Sequence, residues 1–187
     1  EYNRIEDNST HYAGGGFRIL DGRFALRYNI IENNYSDWQG GGFGCVSPSG
    51  IIEGNIISGN ETYWFGGGAK ISCADEGPSG NVIVTQNVFK GNIANNGAGL
   101  RAFNVGMLEL TDNLFIHNQA VLRTSPLSQG GALIVQPGPR NDSCSAFVSD
   151  NEFYYNHSDM EGAGANFSVN TIFTNNLFFR NRGNTSF

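Results

Sequence analysis

The stretch NIIENN, residues 29–34, has the form Asn-x-(Ile/Phe)-x-x-Asn, and the chain keeps returning to it. It recurs as NIISGN at 55–60, NVFKGN at 87–92, NLFIHN at 113–118, NEFYYN at 151–156 and NLFFRN at 176–181. NRIEDN at 3–8 fits the same template. The first Asn falls at 3, 29, 55, 87, 113, 151 and 176, so the steps are 26, 26, 32, 26, 38 and 25 residues. A period of this size marks a solenoid. A second motif runs in phase: GGGF at 14–17 and 40–43, GGGA at 66–69, GAGL at 97–100, GGAL at 130–133 and GAGA at 162–165.

Each period divides into three short strands. In the strand after the glycines, alternate residues are apolar: Phe17/Ile19, Phe43/Cys45, Ala69/Ile71, Leu100/Ala102, Leu133/Val135 and Ala165/Phe167. Period-two alternation places them on one buried face. A second set precedes the first Asn: Phe24/Leu26, Val82/Val84, Leu108/Leu110 and Ala146/Val148, with Gly50/Ile52 and Thr171/Phe173 as weaker versions. The third inward position follows that Asn: Ile5, Ile31, Ile57, Phe89, Phe115, Phe153 and Phe178. Three inward strands per turn predict an all-β parallel solenoid of six to seven coils, one domain over 1–187. Like strands stack ~4.8 Å apart, so like side chains form columns.

The repeated Asn then has a physical role. Asn tolerates the left-handed backbone conformation, which places the first Asn of each copy at the bend between strands. Stacked in register, Asn29, Asn55, Asn87, Asn113, Asn151 and Asn176 form a ladder of amides, each bonding to the next.

Composition agrees. The 187 residues include 26 Gly and 24 Asn, but also 14 Phe and 7 Tyr, more large apolar groups than a disordered chain carries. The net charge of -6 argues against a nucleic-acid partner. No apolar run approaches the roughly 20 residues of a membrane span.

The text resembles the right-handed parallel β-helix proteins of the pectate-lyase-like superfamily. More narrowly, GGAL at 130–133 and FKGN, FIHN, FYYN and FFRN at 89–92, 115–118, 153–156 and 178–181 resemble the repeats of chlamydial-type polymorphic outer-membrane proteins. The resemblance implies a right-handed coil. It also implies either a surface protein or a polysaccharide lyase or hydrolase.

Such enzymes need clustered acids on the face of the Gly strands. The outward residues there are Arg18, Gly44, Lys70, Arg101, Ile134 and Asn166, then Leu20, Val46, Ser72, Phe103, Gln136 and Ser168. None is a carboxylate, so no catalytic set is expected. Arg18, Lys70 and Arg101, with Phe103, are instead candidates for binding an anionic glycan, against the alternative of scattered solubilising charge. On the strand before the first Asn, Ile51, Ile83, Phe147 and Ile172 form an outward apolar column, a candidate protein interface. His11, His117 and His157 lack metal spacing, and neither a metal site nor a cofactor is expected.

Two turns carry insertions, CADEGPSG at 73–80 and QPGPRNDSCS at 136–145. They favour a Cys73–Cys144 disulfide; Cys45–Cys73 is the competing pair. A disulfide implies an extracellular or cell-surface setting. Of seven Asn-x-Ser/Thr sites, Asn141, Asn184 and Asn156 are the leading candidates for N-glycosylation. Four of the seven lie in the second Asn column, which is either a buried ladder closed to sugars or an open edge lined with them. Neither end reads as a cap, so the pattern expects either a longer solenoid or copies stacked end to end. The functional expectation is a non-enzymatic surface, adhesion or filament-forming solenoid. The alternative is a polysaccharide-binding or polysaccharide-cleaving module.

Overall fold

The computed structural model describes residues 1–46, 49–73, 80–122, 128–138 and 144–183. Among these residues there is no helix, and the strands pair in parallel in four sheets. The hexad sheet holds Arg4–Glu6, Ile30–Glu32, Ile56–Ser58, Val88–Lys90, Leu114–Ile116, Glu152–Tyr154 and Leu177–Phe179. The Gly sheet holds Phe17–Leu20, Phe43–Val46, Ala69–Ser72, Leu100–Phe103, Leu133–Gln136 and Ala165–Phe167. The return sheet holds Arg23–Arg27, Ser49–Glu53, Asn81–Thr85, Met107–Thr111, Ser145–Ser149 and Asn170–Thr174. These are the three strands read from the sequence. A fourth strand of two residues follows the second Asn in every coil, from Ser9–Thr10 to Arg182–Gly183. It is too short to show an alternation, so the pattern missed it. We call this the corner sheet.

Register holds through the insertions. Ala69 pairs with Phe43 and Leu100, although the second step spans the 74–79 segment. Leu133 pairs with Leu100 and Ala165 in the same column. The reason is the core: a one-residue slip would turn every inward side chain outward. Ile31, Ile52, Ile57, Ile71, Leu100, Leu108, Leu110 and Leu133 are fully buried. Each contributes about 1.5–3 kcal/mol by burial. The inward rings stack in file. Phe89–Phe115 and Phe115–Phe153 lie 4.7 and 5.0 Å apart with nearly parallel planes, and Phe178 continues the file at 4.3 Å. Where a ring is large, its neighbour is small: a Cβ on Gly50 would lie 2.2 Å from the Phe24 ring.

The corners correct one expectation. The left-handed residue is not the ladder Asn but the residue before it. Tyr2, Tyr28, Gly54, Gln86, Asp112, Asp150 and Asn175 precede the first column, with φ between 52° and 63°. Asp7, Asn33, Gly59, Gly91, His117, Tyr155 and Arg180 precede the second, with φ in the same range. A non-Gly residue there costs roughly 1–2 kcal/mol. The turn aims the next residue, Asn, along the stack, where its amide finds several partners.

Candidate functional site

Both Asn columns are continuous ladders. In the first, Asn55 Nδ2 donates to Asn87 Oδ1 at 2.9 Å, to Leu26 O at 2.8 Å and to Glu53 O at 3.0 Å, and Asn55 N–H donates to the same Asn87 oxygen. The scheme repeats through Asn29, Asn87, Asn113 and Asn151 to Asn176. The second column runs Asn8, Asn34, Asn60, Asn92, Asn118, Asn156 and Asn181. The amides bridge coils and satisfy strand-end carbonyls at once, which a buried turn requires.

The Gly-sheet face carries the predicted columns. Arg18, Gly44, Lys70, Arg101, Ile134 and Asn166 lie in consecutive register, as do Leu20, Val46, Ser72, Phe103 and Gln136. The three cations are not equivalent. Arg18 is exposed. Lys70 Nζ donates to Gln39 Oε1. The Arg101 guanidinium lies 3.8 Å over the Phe65 ring and 5.2 Å from that of Phe103, and Nη2 donates to Gln136 Oε1 at 3.2 Å. Its Nε is buried without a hydrogen-bond partner. Burial pushes the Arg101 pKa down to about 10, so it stays charged at neutral pH. Much of the Arg101 guanidinium is therefore committed to aromatic faces, while the residue stays half-buried in the outward column. A groove of about 330 Å³ is lined by Arg18, Gln39, Lys70, Ser72 and Phe103 among others.

Gln39 and Phe65 were missed by the sequence reading. They occupy a column of single parallel bridges, Ala13, Gln39, Phe65, Asn96, Gln129 and Glu161, immediately before each left-handed glycine. That constant offset was a usable signal. One residue earlier lie Tyr12, Trp38 and Trp64, the first two 67% and 48% exposed.

A chain of in-register parallel strands stacked coil upon coil has a match among known families. Comparison with protein families aligns residues 1–136 with the right handed beta helix region. The chain belongs to the right-handed beta helix family. Neither the curated proteins nor the solved structures gave a match.

In this right-handed beta helix the return sheet carries the expected outward column. Ala25, Ile51, Ile83, Glu109, Phe147 and Ile172 are consecutive in register. Ile51, Ile83 and Phe147 are half-buried and Ile172 is 62% exposed. Glu109 interrupts the stripe.

The glycosylation candidates separate. Asn141 and Asn184 lie outside the described residues. Asn156 is corrected: it is 1% exposed, and its amide donates to Phe115 O at 3.0 Å and Asn181 Oδ1 at 2.9 Å. A glycan on that nitrogen would break the ladder. Asn34 and Asn60 are buried in the same way.

Cys45, Cys73 and Cys144 are buried thiols, and no disulfide joins Cys73 to Cys144. The intervening coil separates them. Cys73 N–H donates to Phe103 O at 3.4 Å, whereas Cys144 Sγ lies 3.9 Å from Asn104 Oδ1. Burial, and then the neighbouring Cys73, push the Cys45 thiol up to about 12. Burial also raises Cys144. Among the described residues no three His, Cys, Asp or Glu side chains cluster as a metal site would require, and no helix is long and apolar enough to cross a membrane.

Proposed function

We propose that the chain is a non-catalytic structural segment of an extracellular or cell-surface solenoid, a stiff rod that displays its loops. The observation that carries this reading is the pair of Asn ladders running unbroken through seven coils beside a Gly-sheet face without an outward carboxylate. Such ladders fix spacing and direction along the rod and supply no reactive group. The surface setting and an adhesive role are proposed from the resemblance of GGAL at 130–133 and the Phe-x-x-Asn stretches to repeats of chlamydial-type polymorphic outer-membrane proteins. The partners proposed are other proteins, at the Ile51, Ile83, Phe147 and Ile172 column, and further coils. The open strands of the end coils accept another coil equally from a continuing chain or from a second copy. Electron microscopy of the purified protein, with product analysis after incubation with pectin-like and other acidic glycans, tests the reading. Rods without cleavage support it; rapid cleavage overturns it.

A second reading is binding of a polysaccharide along the Gly-sheet face, with or without cleavage. The aromatic column of exposed Tyr12 and Trp38 and half-buried Trp64, together with the Arg18 and Lys70 groove, favours it, since rings stack on sugars and cations attract uronates. Retention on immobilised polysaccharide that is lost on Trp38→Ala selects this reading.

A further inference from the structure

A different corner gathers positive charge. The residues before the second ladder run Asp7, Asn33, Gly59, Gly91, His117, Tyr155 and Arg180 down the rod. The corner strands beside them begin with Gln119, His157 and Arg182, consecutive in register. An acidic chain of net charge -6 thus closes one flank with two arginines and two histidines. Together with Tyr155 they line a groove of about 370 Å³. Neither arginine meets a carboxylate at ion-pair distance among the described residues; the Arg180 guanidinium lies 5.0 Å over the Phe179 ring. His117 stacks on Tyr155 at 5.2 Å, which fixes both rings at the groove wall. The acid nearby is Asp159. Its Oδ1 lies 3.0 Å from His157 Nε2, and its Oδ2 accepts from Leu122 N–H at 2.6 Å.

We propose that this groove binds a phosphate or sulfate monoester. The exposed guanidinium groups of Arg180 and Arg182, either side of half-buried Asn181 in the chain, both line the groove and present planar forks of N–H donors, the chemistry that fits an oxyanion. Imidazole N–H groups on the two preceding coils extend the donor set. The groove is far larger than a bare ion, so it has room for the group that carries the ester. In a chain of overall negative charge, a local cluster of cations is where an anionic ligand meets attraction rather than repulsion. The site lies on a flank remote in sequence from Arg18 and Lys70 and does not depend on the Gly-sheet face.

Calorimetric titration of the whole chain tests it, with a sulfated disaccharide, a sugar phosphate, inorganic sulfate, inorganic phosphate and an uncharged disaccharide. Binding of at least one ester, with the uncharged sugar inert, is the expected result, and the arm that binds names the source. The variant Arg180→Asn/Arg182→Gln weakens that binding by about tenfold or more. Asn suits the left-handed backbone at 180, so the variant keeps its fold, checked by an unchanged unfolding transition. Lys90→Gln, an exposed cation on the hexad sheet, leaves affinity unchanged. Failure of both esters to bind at millimolar concentration overturns the proposal, as does wild-type affinity in the double variant or equal binding of the uncharged sugar.

Discussion

Asn87 donates two hydrogen bonds to a single atom of Asn113: its backbone N–H and its side-chain amide both reach Asn113 Oδ1 at 3.0 Å. The two residues are 26 apart in sequence, one coil in space. Asn113 in turn donates to Val84 O, Thr111 O and Asn151 Oδ1. One side chain therefore closes five hydrogen bonds across three coils.

Asn113→Leu leaves several buried donors and acceptors without partners, each costing ~1–3 kcal/mol. The expected loss is roughly 3–5 kcal/mol, because the terms overlap. Asn3→Ala, at the exposed first rung, costs about 1 kcal/mol or less. Urea unfolding midpoints of the two variants check the contrast.

Phe115 lies between two parallel rings and is fully buried. Phe115→Ala opens a cavity inside the file and is expected to cost about 3–5 kcal/mol. Phe115→Ile restores what the early coils use at Ile31 and Ile57 and recovers much of that loss. Thermal unfolding of the three proteins orders them wild type, Ile, Ala.

The Cys45 thiol has a folded pKa of about 12, well above its ordinary value of about 8.5. Folding therefore favours the protonated form. The associated stability is complete below about pH 8.5, and it declines as pH rises from there towards 12, where the folded thiol also ionises. Alkylation of Cys45 at pH 8 is accordingly slow in the native protein and fast in denaturant, as mass spectrometry of quenched samples reads directly. Cys45→Ala removes that part of the alkaline destabilisation.

Arg101 is a cation set on Phe65 with no carboxylate partner among the described residues. Arg101→Met keeps a long side chain on the ring and removes the desolvated charge, so stability is unchanged or raised. Arg101→Ala loses the packing and lowers it by about 1–2 kcal/mol. Calorimetric unfolding distinguishes them. A large loss in the Met variant would show that the charge itself holds the turn.

The coil was legible because three apolar columns and two Asn columns keep one phase across unequal insertions. Those columns are the core and the ladders, where every coil has the same requirement. The left-handed corner was not legible, since Tyr28, Gln86, Asp112, His117 and Arg180 all occupy it and no residue type marks it. The burial of Arg101 was hidden for another reason. Its partner Phe65 lies on a different coil in a one-residue bridge, outside any strand pattern. The cysteine pairing failed because spacing along the rod says nothing about the Phe103–Asn104 turn between the two sulfurs. The basic corner needed three coils to be superposed, and its members, His117, Tyr155, Arg180 and Arg182, are singly unremarkable.

The ladder is tested most directly by hydrogen exchange of the Asn side-chain amides, followed by NMR in the native protein. The side-chain NH2 groups of Asn55, Asn60, Asn87, Asn92, Asn113 and Asn118 should exchange many orders of magnitude more slowly than those of exposed Asn33, alongside the core backbone amides. Exchange of these groups at the rate of Asn33 would contradict the stacked coil.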